Sequence, residues 1–285
     1  MLQYKIVQVI KSIMKKSYLI TLSLFIILSF NLSAHEKSAT ATYLGNEGVM
    51  IENGETKIVF DPFFHNNYNL YQLVSDETRD AIFSGKAPYD GLDAIFISHA
   101  HGDHFSAEDV LKFLQNNPQA KLFAPTQAVE KIMALKNSEA IKKQINGIAL
   151  QKGDKEQTLK LDDLLIEVVR IPHAGWPARA EVSNLVFRVT LSNDVTIMHM
   201  GDADPNDEHF KPYKEHWLKN TTNTAFPPYW FYLSEEGPII LDERINAEKS
   251  IGIHVPVKVP ESLIMVDEPY FSKPGEKQEI NHKHD

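Results

Sequence analysis

From Ala39 onward, short apolar runs alternate with turn-forming residues. Ala39-Thr-Ala-Thr-Tyr-Leu44, Val49-Met-Ile51 and Lys57-Ile-Val-Phe60 read as strands, and Asn53-Gly54 between the last two is a hairpin signature. The polar stretch from His65 to Gly91 is ambiguous between a helix and a long loop. Asp93-Ala-Ile-Phe-Ile-Ser98 predicts a buried strand, and Ser106 with Asp109 three residues on opens a helix through Val110, Leu111 and Leu114. A strand at Lys121-Leu-Phe-Ala124, a helix capped by Thr126 and a turn near Asn146-Gly147 continue the succession. Leu164 to Ile171, Leu185 to Leu191 and Val195 to Met200 are three further strands, the last two joined at Asn193-Asp194. Hairpins first and β/α alternation later predict an α/β chain with mixed sheets covered by helices. The polar segment from Glu268 to Asp285 reads as a frayed tail.

The first residues carry a different pattern. Lys5, Lys11, Lys15 and Lys16 precede the apolar run Tyr18 to Phe30 and the small-residue exit Ser33-Ala34, with no acidic residue before His35. This is a secretory signal pattern over residues 1–34, with Met14 as an alternative start. A retained anchor helix is the rival, but the run falls short of the roughly 18 apolar residues that a span needs. The expectation is therefore an exported protein, periplasmic or secreted, without stable membrane insertion once the leader is cleaved, and one domain over residues 35–267. Removing the leader deepens a net charge of −9 by four, which disfavours nucleic acid as a partner. The chain has no cysteine, so a thiolate nucleophile and thiolate metal ligands are excluded. The sequence leaves oligomeric state open.

The chemistry concentrates in His99-Ala-His-Gly-Asp-His104, directly after the strand ending at Ser98. Extended residues two apart point to one side, so His99 and His101 can hold one cation together. Gly102 lets the chain turn and brings Asp103 and His104 toward a neighbouring position. Imidazole and carboxylate without thiolate suit zinc or another borderline-to-hard divalent metal.

This motif resembles the hallmark His-x-His-x-Asp-His of the metallo-β-lactamase superfamily, and the resemblance covers most of the chain after the leader. Three further motifs follow in the family's order: a lone histidine in Arg170-Ile-Pro-His173, the Gly201-Asp202 pair after a strand, and a late histidine in Ile251-Gly-Ile-His254. Asp204 and Asp207 compete with Asp202 but lack its preceding glycine at a strand end. His199, His209 and His216 compete with His254, the first inside a strand and the others in a polar segment. His282 and His284 read as exposed. The opening Tyr43-Leu-Gly-Asn-Glu-Gly-Val-Met-Ile51 and Ile58-Val-Phe-Asp-Pro62 look like the branch containing ascorbate-phosphate lactonase and N-acylphosphatidylethanolamine phospholipase D. That branch often has a histidine at the place of Asn46 or Glu47, which this chain lacks. Asp61 either orients a metal-bound imidazole or caps the turn at Pro62.

The resemblance implies a four-layer αββα sandwich with two mixed β-sheets. It implies two divalent metal ions, zinc first, with manganese or iron as alternatives. His99, His101 and His173 would hold one metal, Asp103, His104 and His254 the other, with Asp202 between them and Asp103 also catalytic. A metal-bridging hydroxide would attack a small-molecule lactone, ester or phosphodiester. Members that open β-lactams usually carry Cys or Ser where this chain has Asp202. The alternatives are a metal-binding protein without turnover and an iron-dependent redox enzyme of the same fold. Trp176, Arg179, Tyr229 and Trp230 flank the ligands as substrate contacts or as packing.

Overall fold

The computed structural model describes residues 38–192 and 195–280. The leader, the Asn193-Asp194 connection and the tail histidines lie outside these residues. The first sheet holds β1 (Ala39–Gly45), β2 (Gly48–Asn53), β3 (Thr56–Phe60), β4 (Ala94–Phe96), β5 (Lys121–Pro125), β6 (Ile145–Ile148) and β12 (Lys277–Ile280), in the order β12-β1-β2-β3-β4-β5-β6. The second holds β7 (Gln157–Leu161), β8 (Leu164–Arg170), β9 (Leu185–Thr190), β10 (Thr196–His199) and β11 (Thr224–Phe226), in the order β11-β10-β9-β8-β7. Both are mixed. The β1-β2-β3 hairpins are antiparallel and β3 to β6 run parallel, whereas in the second sheet the β10-β11 pair is parallel.

Strand alternation explains the layers. Val49, Ile51, Ile58, Phe60 and Phe96 face Ile166, Val168, Phe187 and Ile197 of the other sheet. The intervening Met50, Val59 and Ile95 pack instead with Val110, Phe113, Leu114 and Ile132 from the helices on the first sheet's outer face. Val169, Val186 and Met198 pack with Phe210, Trp217 and Leu241 on the outer side of the second. The result is the expected αββα order, with three apolar layers.

The helices between parallel strands are α1 (Asp76–Phe83), α2 (Ala107–Asn116) and α3 (Thr126–Met133). In α2, Ser106 Oγ accepts the Asp109 N–H at 3.3 Å and Val110, Leu111, Phe113 and Leu114 are buried, as the capping pattern predicts. The ambiguous stretch from His65 to Gly91 contains α1, capped by Ser75.

Three local expectations are corrected. Thr126 is the first residue of α3 rather than its cap: β5 runs straight into the helix, and Pro125 holds the cap position without a side-chain hydrogen bond. Asn146-Gly147 lies within β6, where Asn146 Nδ2 donates to Leu122 O at 3.2 Å and a Cβ on Gly147 would stand 3.5 Å from Val129 of α3. The segment after Glu268 is structured as far as Ile280. Phe271 stacks on Tyr43 at 5.3 Å, and β12 pairs antiparallel with β1. A four-residue edge strand needs one buried side chain, here Ile280, which leaves the rest polar. Among the described residues no helix is long and apolar enough to cross a membrane.

Candidate metal centre

The candidate ligands sit where strands of both sheets end. The chain leaving β4 forms Ser98-His99 and turns through His101, Asp103 and His104 before α2; β8 leads to His173, and β10 leads through Met200 to Gly201-Asp202. Gly201 has φ +54°, and a Cβ there would meet Asn184 Oδ1 at 2.5 Å and Ser98 Cβ at 2.7 Å. Glycine is needed for both the turn and the packing. Asn184 Oδ1 accepts the Asp202 N–H at 3.0 Å, so the aspartate is aimed from a pinned backbone. His254 is a non-glycine residue at φ +59°, with its N–H donating to Asn46 O at 3.0 Å. Such a left-handed residue persists where its surroundings fix it. Its ring meets Tyr71 edge-on at 4.1 Å and Trp230 at 5.1 Å.

Two clusters result. His101 Nδ1 lies 3.0 Å from His99 Nε2 and 3.1 Å from His173 Nε2, and Asp202 Oδ2 is 3.2 Å from His173 Nε2 and 4.0 Å from His99 Nε2. In the second cluster, His104 Nε2 and His254 Nε2 each lie 3.2 Å from Asp202 Oδ1 and 3.6 Å from Asp103 Oδ2. Asp202 therefore turns one oxygen to each. His173 Nδ1 donates to Ala174 O at 2.8 Å, which leaves Nε2 free to accept. Asp61 does the same for His104, taking its Nδ1–H at 3.0 Å while also accepting the Ser98 N–H at 2.8 Å and the Ser98 hydroxyl. This geometry matches the orienting alternative for Asp61.

The donor set fits metal. His104 Nε2, His254 Nε2 and Asp202 Oδ1 are buried, converge, and make no hydrogen bond. A cation among them would satisfy all three. Burial pushes His99 well below the ordinary imidazole value, which keeps it in the neutral ligand form. Burial also opposes protonation of His104 and His254, but the surrounding carboxylates, Asp202 foremost, outweigh it. They lift His104 well above its usual value and His254 to about 9. For Asp202, burial is outweighed by His254 and His104, which hold its carboxyl well below the usual range. The carboxylates thus give the second cluster a field that favours positive charge.

Outside the clusters, a cavity of about 420 Å³ opens onto His101, Asp103, Asp202 and His254. Tyr68, Leu70, Tyr71, Trp230 and Arg179 wall it. Of the expected flanking residues, Arg179 and Trp230 line this cavity. Trp176 instead lies under the Lys152 ammonium, 4.4 Å from the ring centroid, and Tyr229 packs on Trp230.

Residues 40–215, more than half of the chain, match the family model described as a beta-lactamase superfamily domain. The chain belongs to the metallo-β-lactamase superfamily. Among metallo-β-lactamase relatives, it is 23% identical over 232 residues to N-acyl-phosphatidylethanolamine-hydrolyzing phospholipase D 1 of Caenorhabditis elegans, covering 77% of this chain and 64% of that protein. It is 36% identical over 63 residues to a UPF0173 metal-dependent hydrolase of Agrobacterium fabrum, covering 22% and 23% of the two chains. It spans less than two thirds of the length of either relative. The fold is shared with Igni18, a metallo hydrolase from Ignicoccus hospitalis, at a TM-score of 0.58 and 17% identity, over 87% of this chain and 100% of that one.

The metallo-β-lactamase fold brings His99, His101, Asp103, His104, His173, Asp202 and His254 together, although His254 lies beyond the matched residues. It separates Asp207, His209 and His216 from them, while His199 lies beside Glu47 and Asp61. Asp207 pairs with Arg244, His209 faces Asp204 at 3.8 Å, and His216 faces Glu167 at 2.7 Å. Sequence reasoning missed the Tyr68-Asn-Leu-Tyr71 wall, whose signal is two tyrosines within a polar stretch. It also treated Glu47 as a missing histidine; the structure buries that carboxyl completely beside the second cluster.

Proposed function

We propose that this protein is a metal-dependent hydrolase that holds two divalent cations side by side. One lies among His99, His101 and His173, the other among Asp103, His104 and His254, and Asp202 is shared. The observation that carries this reading is Asp202, whose two oxygens face different imidazole clusters. A single cation leaves one of those clusters without a partner. Family membership and the hydrolase names of relatives support the reaction class.

Bound cations of this kind lower the pKa of water toward about 7 and polarise a carbonyl or phosphoryl oxygen. The chain's own residues do the rest. Asp103 is at the cavity floor, where its carboxylate can orient the attacking water and accept its proton. Tyr71 and Trp230 give the substrate an apolar wall, and Arg179 at the rim offers a cation to an anionic group. Ser98 Oγ donates to Asp61 and is not placed as a nucleophile. The substrates proposed are a lactone, a carboxylic ester or a phosphodiester, and the metals proposed are zinc first, then manganese or iron.

The test is Asp103→Ala. Metal content should fall from two per chain toward one, and turnover of a substrate found by screening those three classes should drop by about 10²-fold or more. Near-normal turnover with one metal bound would sink the dinuclear mechanism. Export belongs to the same proposal and rests on the basic, apolar and small-residue succession of residues 1–34. N-terminal sequencing of exported protein should begin at His35; an intact apolar segment in membranes would favour the anchor instead.

A further inference from the structure

The geometry points to Glu47 as an additional ligand of the second cation, so that this position is a carboxylate-rich site built from Glu47, Asp103, His104, Asp202 and His254. The inference rests on the two-cation reading above and adds to it a residue from another part of the chain.

Glu47 lies in the turn between β1 and β2, and its side chain has no solvent exposure. Neither carboxylate oxygen makes a hydrogen bond. His199 Nε2 stands 3.3 Å from Oε2, but it donates its proton to the Glu47 carbonyl at 2.9 Å. A carboxyl enclosed in this way lacks the compensation that buried acids normally have. One of its oxygens, a ring nitrogen of His104 and an oxygen of Asp202 all lie within 4.8 Å of one another. His104 Nε2 and Asp202 Oδ1 already stand 3.2 Å apart, a spacing suited to adjacent ligands of one cation, and binding would draw the Glu47 carboxyl inward to close the set.

The turn is also clamped to the same cluster. Asn46 Nδ2 donates to Asp103 O at 2.9 Å, and Asn46 O accepts the His254 N–H at 3.0 Å. The residue before Glu47 thus ties it to two of the second position's candidate ligands. On its far side Glu47 also approaches Asp61 and His199. That group is a weaker cation site because its atoms are engaged. Asp61 accepts from Ser98 and His104, and His199 Nε2 donates to the Glu47 carbonyl.

The consequence is a difference between the two positions. The first offers three imidazoles and one shared carboxylate. With Glu47, the second offers two imidazoles and three carboxylates. Oxygen-rich donor sets favour harder cations, so manganese or ferrous iron gains on zinc at the second position relative to the first.

The experiment uses the purified full chain, with Mn2+ and Zn2+ as probes, and compares wild type with Glu47→Gln, which keeps the shape and removes the charge. Chelator competition should show two metals per wild-type chain. The variant should bind the second at least about 100-fold more weakly, beyond the roughly 10–100-fold that loss of a hydrogen-bonding support behind a ligand costs, keep the first unchanged, and lose part of the metal-induced rise in Tm. A carboxyl with a merely structural role would change the metal-free Tm and leave both affinities and the metal-induced rise intact, which overturns the inference. If Glu47→Gln does not fold, cobalt-loaded wild type decides. Very weak six-coordinate absorption from the second position supports Glu47 ligation, and a stronger five-coordinate or intense tetrahedral band there, which Asp103, His104, His254, Asp202 and water give without it, overturns it. Saturation of wild type at one metal defeats the two-cation reading itself, whereas two metals bound by the variant with the affinities of wild type defeat the Glu47 inference alone.

Discussion

Asp61 shows how one side chain links backbone conformation to candidate chemistry. Its φ of 40° turns the chain out of β3 while its N–H still bonds Phe96 O at 2.9 Å, and its carboxylate holds Ser98 and His104 together. Because it takes the Nδ1–H of His104, it selects the tautomer whose Nε2 lone pair faces Asp202. Asp61→Asn keeps the shape and an acceptor for the Ser98 N–H, but removes the charge behind the imidazole. The second metal should then bind about 10–100-fold more weakly, with the first unaffected, as read by chelator competition. Unchanged affinity would assign Asp61 to the turn alone.

At the element scale, the segment following Asp202 must be tied down if the aspartate is to stay aimed. Asn206 caps the short 3₁₀ turn Asp207–His209, and Arg244 grips the Asp207 carboxylate with Nε at 2.7 Å and Nη2 at 2.9 Å. The π-helical turn Ile240–Arg244 is thereby fastened to the region beyond β10. The Arg244 hydrogen bonds hold the Asp207 carboxyl below its ordinary range. A depressed carboxyl stabilises the fold above its unfolded pKa of about 3.9, and that contribution is lost as pH falls through the lowered value. Arg244→Ala should therefore lower the urea midpoint at pH 7, with the gap to wild type narrowing as pH falls below about 4. A gap that is constant from pH 7 to pH 3 would mean that the pair does not carry the effect.

Across the whole molecule, both sheets supply ligands, so the site depends on how they are held face to face. The first sheet ends at β12, whose Ile280 is fully buried opposite Ala39. Removing residues from Lys277 onward uncovers the β1 edge and deletes that core side chain. The expected loss is at least about 2 kcal/mol from burial alone, seen as a lower denaturation midpoint, together with edge-driven aggregation. An unchanged midpoint would show that β12 is dispensable.

What the sequence by itself determined is what neighbours along the chain decide. The β2-β3 hairpin was legible in Asn53-Gly54, α2 in Ser106 and Asp109, and the core of the candidate site in His99 to His104, because each is set within a few residues by turn chemistry, capping or the two-residue period of a strand. His173, Asp202 and His254 were nominated by the resemblance, through the family's order of motifs. Tertiary structure alone decided which polar residues are enclosed and which polar segments are held. Glu47 reads only as the place of an absent histidine until His199, 152 positions away, closes over it. Lys277 to Ile280 reads as a tail until β1 offers it an edge, and Tyr68 to Tyr71 stays ambiguous between helix and loop until Val257 N–H bonds Leu70 O at 2.8 Å. Local periodicity carries no information about a partner more than a hundred residues distant; that partner is set by which faces the packed sheets and loops bring together.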